Sequence, residues 1–213
     1  MYPASTSKCV WPKPSSGGQV MNNRILSLPW VILAALFLQA CCTPNATIGS
    51  VSVALRPQET NNWCWAATTQ MVTETLGHGR VQCDLANERF GRTDCCTEGC
   101  PKNQACNMPG WTMYNEAGFD HKASTTPLTW NKIQCQIFCH DKPMSYAYGP
   151  KTGGVGHVLV VSGYVDIGGI RYLSLNDPWS PCSGTNRFIT YDEYSNSATV
   201  DHWETAYDIT RRN

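Results

Sequence analysis

The chain has 213 residues, 42% hydrophobic and 15% charged, which is long enough for one substantial core and too regular in composition for extended disorder. Sixteen basic residues balance sixteen acidic ones, so no net field exists to gather nucleic acid or to coat an anionic membrane. Twelve cysteines in so short a chain point either to an oxidising compartment or to metal clusters.

Residues 1–20 are rich in Ser, Pro and Gly and precede a second Met; they read as a spurious extension and carry no fold expectation. From Met21 a polar stretch with Arg24 leads into the apolar run Ile25 to Leu38. That is the form of a signal peptide over residues 21–40. Ser27 and Pro29 interrupt the run, which is short for a permanent membrane helix. Leu38-Gln39-Ala40-Cys41 resembles the lipobox of bacterial lipoproteins, in which Cys41 becomes the lipidated first residue. Cleavage near Ala40 or Ala46 would instead release a free product. The expected location is thus the bacterial cell envelope, as a lipoprotein, or the medium, with membrane contact only through that lipid. Residues 41–50 make a short leader, and one domain is expected over 51–213.

An exported setting sharpens the cysteine arithmetic. With Cys9, Cys41, Cys42 and Cys64 set aside, Cys83, Cys95, Cys96, Cys100, Cys106, Cys135, Cys139 and Cys182 remain. An even set fits four disulfides, although sequence cannot choose the pairing. The cluster from Cys83 to Cys106 lacks the paired Cys-x-x-Cys hooks of structural zinc sites, so neither metal nor cofactor is expected.

Val51 to Leu55 alternates apolar and small polar residues and predicts a short strand ended by Arg56-Pro57. From Cys64 the composition predicts a buried helix, with Ala67, Met71 and Thr75 on one stripe and Gly77 as its stop. Residues 78–110 carry five cysteines among Gly, Pro, Asn and Asp, and little regular structure is expected in this insertion. Pro127 to Cys139 has Leu128, Ile133, Ile137 and Phe138 at helical spacings. The period then changes: residues 143–148, 156–164, 170–175, 187–191 and 205–209 predict short strands of an antiparallel sheet. Helices early and strands late give an α+β domain of two lobes with a cleft between them.

Cys64 stands out chemically, since a helix N-terminus favours thiolate over thiol. A thiolate nucleophile needs a base and a group that orients the base. His157 differs from the other histidines: it opens the apolar strand Val158 to Tyr164 after the Gly-rich Thr152-Gly-Gly-Val-Gly. Asn176 and Asp177 close the next apolar strand, and neighbours on a strand face opposite sides, so only one can accept from the imidazole.

Gln58 lies six residues before Cys64-Trp65-Ala66, Gly156-His157-Val158 opens a strand, and Asn176-Asp177-Pro178-Trp179 follows in order. Together these motifs resemble the papain-like cysteine proteases, closest to the bacterial group of the avirulence-effector proteases of plant pathogens, with the double-glycine leader peptidases as cousins. The resemblance covers roughly residues 51 to 210. It implies a papain-like two-lobed fold with a central N-terminal helix and a C-terminal antiparallel sheet, acting on peptide or protein substrates. It also implies acyl transfer with Cys64 as nucleophile, His157 as acid and base, Asp177 as the orienting group and Gln58 as an oxyanion donor. Trp65 is read as packing; Trp63 and Trp179 are candidates for the substrate cleft. The Cys-rich insertion and the export signal do not fit an effector delivered into a host cytoplasm, so only the mechanism is carried over. Two other classes retain some of these features: a peptidoglycan amidase or transglutaminase-like transferase, which the Gln58 spacing disfavours, and an idle disulfide-stapled surface lipoprotein.

Overall fold

The computed structural model describes residues 46–213, and among these it has seven strands and four α-helices. The strands are β1 (Ile48–Ser50), β2 (Phe119–Ser124), β3 (Met144–Pro150), β4 (His157–Ile167), β5 (Ile170–Asp177), β6 (Thr185–Thr190) and β7 (Val200–Arg211). They form one antiparallel sheet in the order β2-β7-β3-β4-β5-β6, with β1 also paired to β4. The helices are α1 (Cys64–Thr75), α2 (Gln82–Phe90), α3 (Trp130–Gln134), which runs on into a π-turn at Cys135–Cys139, and α4 (Tyr191–Ser195). The expectations for residues 1–20, for the signal peptide and for lipidation at Cys41 lie outside the described residues.

β4 is the spine of the sheet, buried on both faces from Val158 to Tyr164. Its alternation distributes side chains between two cores. Leu159 and Val161 join Trp130, Ile133, Ile137 and Met144 on one face, while Val160 joins Met71, Val72 and Phe119 in a separate cluster on the α1 side. β4 returns as β5 through Gly168-Gly169, both at positive φ. Such a two-residue turn matches the twist of a hairpin, and it fixes the register that sets Val160 opposite Asn176.

α1 is buried from Trp65 to Thr73 although it carries several hydroxyls. Thr69, Thr73 and Thr75 donate to the carbonyls four residues earlier, at 2.8 Å each, and Thr68 donates to Val158 of β4 at 3.1 Å. The hydroxyls are therefore satisfied inside the core, where an unpaired one would be costly. Gly77, at φ +82°, ends the helix turn.

Three sequence expectations are corrected. The N-terminal strand is Ile48–Ser50, not Val51 to Leu55; the latter stays extended because Val51 N–H reaches Ser162 O and the Val53 carbonyl is taken by the Asn176 side chain. The insertion holds a nine-residue helix, α2, closed by Gly91 in the left-handed region. The eight cysteines are not a closed set: Cys83–Cys96, Cys95–Cys106 and Cys100–Cys182 are bridged, Cys139 is disulfide-bonded too, and Cys135, like Cys64, keeps a free thiol. Parity alone carried no geometry. The sulfurs of Cys83, Cys95, Cys96 and Cys106 are committed to one another and not to a metal. Bridges of this density belong to a chain that matures in an oxidising compartment, outside the cytosol. Among the described residues no helix is long and apolar enough to cross a membrane.

Candidate active site

Cys64 is the first residue of α1, and its N-cap Trp63 supplies no side-chain cap, so the amides of the first turn point free at the thiol end. The loop before it is held from the insertion side. Asn107 Oδ1 accepts from Thr60 Oγ1 and from Asn62 N, both at 2.9 Å, and the Asn107 carbonyl accepts from Asn62 Nδ2 at 3.0 Å. Lys102 N–H donates to the Glu59 carbonyl at 2.8 Å. Trp63 and Trp65 donate their indole N–H groups to the carbonyls of Cys106 and Met108. The disulfide-bonded insertion is thus the mould that shapes the loop leading into Cys64.

The candidate base comes from the sheet. His157 opens β4 and Asp177 closes β5, and antiparallel pairing puts the start of one strand beside the end of the other. His157 Nε2 lies 2.6 Å from Asp177 Oδ1. Cys64 also acts on the imidazole, through hydrogen bonding and charge that favour the protonated ring. Burial alone would lower His157, but the Asp177 hydrogen bond, the Cys64 hydrogen bond and their charges outweigh it and push the ring up to about 9. Asn176, on the other face of the strand, gives Nδ2 to the Val53 carbonyl at 3.1 Å and does not meet His157.

Asp177 is surrounded by donors. Its Oδ1 also accepts from Trp179 N at 3.0 Å and its Oδ2 from Arg187 Nε at 2.9 Å. Burial would raise this carboxyl; the bonds from His157, Trp179 and Arg187 hold it below the ordinary carboxylate range. Arg187 Nη2 reaches on to the Tyr148 hydroxyl at 3.3 Å, and the Tyr148 ring stands edge-to-face to His157 with centroids 5.8 Å apart. Sequence reasoning did not find Arg187 or Asn107. The only trace of Arg187 is a basic residue inside a short strand, and nothing in the sequence ties Asn107 to the loop 45 residues before it.

Cys64, His157 and Asp177 line one cleft of about 1020 Å³. Trp179 and Trp111 are half-exposed on its walls, and Trp203 lines it as well. The Trp203 ring lies flat against Gly149 and Gly156, where a Cβ at either position would overlap it. Trp63, expected at the cleft, is fully buried behind the loop with its N–H spent on Cys106; this expectation is corrected. Gln58 is also fully buried. Its Nε2 donates to the carbonyls of Thr60 and Asn61, at 2.7 and 2.8 Å, and its Oε1 has no partner. Its backbone ties the nucleophile loop to the segment after Asp177, through Gln58 N–H to Pro178 O and Cys182 N–H to Gln58 O.

A family model described as Peptidase_C39 like family matches residues 50–210. Among solved structures, digestive procathepsin L 3 of the Tenebrio molitor larval midgut aligns with a TM-score of 0.47 at 11% identity, covering 82% of this chain and 72% of that one. Xylellain, a cysteine protease from Xylella fastidiosa, aligns with a TM-score of 0.40 at 13% identity, covering 79% of this chain and 87% of that one. No curated protein matches the chain. Because the family model covers residues 50–210, most of the chain, and includes both of the elements that carry Cys64 and His157, the chain belongs to the Peptidase_C39-like family.

Proposed function

We propose that this peptidase is exported and hydrolyses peptide bonds with Cys64 as nucleophile, His157 as general acid and base, and Asp177 as the group that orients His157. The observation that carries the reading is the imidazole held to Asp177 at 2.6 Å in the cleft that Cys64 lines with it. In the attack, the Cys64 thiolate adds to the scissile carbonyl. His157 then gives its Nδ1 proton to the leaving amine, which departs and leaves an acyl thioester. Water enters, His157 takes its proton, and hydroxide addition releases the acid and restores the thiolate. Asp177 stabilises the imidazolium in both half-reactions and fixes the ring.

The oxyanion would meet the Cys64 N–H at the unspent first turn of α1. Gln58 is the second donor in this scheme. Its bonds to Thr60 and Asn61 set a condition: one Nε2 hydrogen has to leave its carbonyl as the tetrahedral intermediate forms. Export by the residue 21–40 signal, and either lipidation at Cys41 or release, are supported by the sequence and fit the disulfides.

Hydrolysis of a mixed peptide library, followed by mass spectrometry under mild reductant, tests the reading. Wild type should cut, while Cys64→Ala and His157→Ala should not. Cleavage that survives Cys64→Ala at the wild-type rate would overturn it.

A further inference from the structure

The cleft carries a cation that the proposed chemistry does not use. Arg89, in the last turn of α2, lines the same cleft as Cys64 and His157. Its guanidinium sits over the Trp65 ring, 5.2 Å from the centroid. Trp65 follows the nucleophile directly and is fully buried, so the platform is fixed relative to the scissile bond. Gly110 completes the seat: a Cβ there would fall 2.7 Å from Arg89 Nε. Arg89 is exposed, and its stacking on Trp65 orients the guanidinium, so less freedom is lost when it binds.

Its donors are unspent. Arg56, Arg80, Arg92 and Arg187 each pair with a carboxylate, whereas Arg89 has no ion pair or hydrogen bond among the described residues. The neighbouring Glu88 on α2 is engaged with Arg80 at 2.7 Å. Within the cleft, Asp177 is the sole carboxylate among the lining residues, and its oxygens are filled by His157, Trp179 and Arg187. The same cleft is lined by the apolar surfaces of Trp111, Val155 and Trp203, which displace water when a peptide binds and strengthen any charge pair formed there.

We infer that Arg89 recognises a substrate carboxylate, so that the preferred substrates are peptides with Asp or Glu near the scissile bond. This rests on the peptide-hydrolysis reading above and specifies its substrate class. The planar fork takes a carboxylate through two parallel N–H···O bonds. Asn or Gln at the same substrate position offers a single acceptor and no charge.

Two measurements separate this inference from the reading beneath it. In the first, the full chain carrying Cys64→Ala, which binds without turning over, is used to select from a randomised peptide library. Asp and Glu should be enriched at one position by about tenfold over Asn and Gln, the low end for a hydrogen bond to a charged group. The enrichment should vanish in Cys64→Ala/Arg89→Gln and turn to Lys and Arg in Cys64→Ala/Arg89→Glu. In the second, kcat/KM is compared for matched acidic and neutral peptides. Arg89→Gln should lower the acidic value about tenfold and leave the neutral one near wild type. A library with no acidic enrichment, or an enrichment that survives Arg89→Gln, overturns the inference. Wild type that cuts no peptide, with the binding preference intact, would overturn the hydrolytic reading and leave the Arg89 assignment standing.

Discussion

Replacing Asp177 with Ala removes the acceptor shared by three donors, namely His157 Nε2, Trp179 N and Arg187 Nε. The size of the effect follows from the histidine. Raising His157 from 6.5 to about 9 corresponds to about 3 kcal/mol of preference for the protonated ring, at 1.36 kcal/mol per pH unit. Asp177 supplies much of that, with Cys64 contributing the rest. Without the carboxylate, burial pulls His157 back toward or below its ordinary value. The proton donor for the leaving amine is then lost at a lower pH, and the ring is free to turn. Asp177→Ala should therefore lower kcat by about two orders of magnitude, which is what about 3 kcal/mol amounts to, with KM changed much less. The alkaline limb of kcat/KM, expected near pH 9 in wild type, should move at least about one pH unit to the acid side. Stability carries the same signature. His157 is raised, so its contribution is complete below about pH 6.5 and is lost as pH rises through about 9; wild-type Tm should decline across that window and Asp177→Ala should decline less. Asn176→Ala removes only the bond to Val53 O, worth about 1 kcal/mol of stability, and should keep kcat within severalfold. The assay is steady-state hydrolysis of one peptide by each variant across pH 5 to 10, with Tm by circular dichroism as the fold control. An unshifted alkaline limb in Asp177→Ala, or a larger kcat loss in Asn176→Ala, would refute the reasoning.

Arg187→Gln takes the charge from Asp177 Oδ2 and the donor from Tyr148. Because the guanidinium is about a third exposed, the loss should be modest, about tenfold in kcat, with Arg187→Lys intermediate; wild-type kcat in Arg187→Gln would count against a positioning role. Gln58→Ala distinguishes an oxyanion donor from a brace. A donor predicts a fall in kcat of about 10²–10³, whereas a brace predicts a lower Tm with kcat nearly intact, and the two readouts are taken on the same sample. Cys182→Ser opens the bridge that fastens the insertion to the segment following Asp177. It should lower Tm and make the activity more sensitive to temperature, while cleavage of Cys100–Cys182 without any change in melting would contradict the mould described for the insertion.

The residues of the candidate site were more legible than the scaffold around them. Cys64 could be placed at a helix start because Ala67, Met71 and Thr75 form a stripe and Gly77 stops it, features that local sequence encodes. His157 announced itself by opening a long apolar strand; strand parity allowed only one of Asn176 and Asp177 to face it, and the resemblance chose Asp177. The structure brings His157 to Asp177 and turns Asn176 to Val53. What escaped depends on distance in sequence. The loop before Cys64 is shaped by Asn107, and the Asp177 carboxylate is balanced by Arg187, contacts that only the folded chain creates. α2 was hidden because Cys83 and its polar face read as loop, although Leu85, Ala86 and Gly91 were the available signals. Trp63 was misread for a similar reason: an aromatic beside the nucleophile serves a cleft or a core equally well by composition, and here the Cys106 carbonyl takes its N–H into the core.

The most direct measurement for the central claim uses a peptidyl acyloxymethyl ketone, an electrophile that captures an activated thiol, followed by peptide mapping of the unreduced protein. The chain offers two free thiols among the described residues, Cys64 and Cys135, so each molecule contains its own control. One adduct on Cys64, none on Cys135, and loss of the Cys64 adduct in His157→Ala is the predicted result. Equal labelling of Cys135, or a Cys64 adduct that forms as fast in His157→Ala as in wild type, would contradict the assignment of Cys64 and His157 as a working pair.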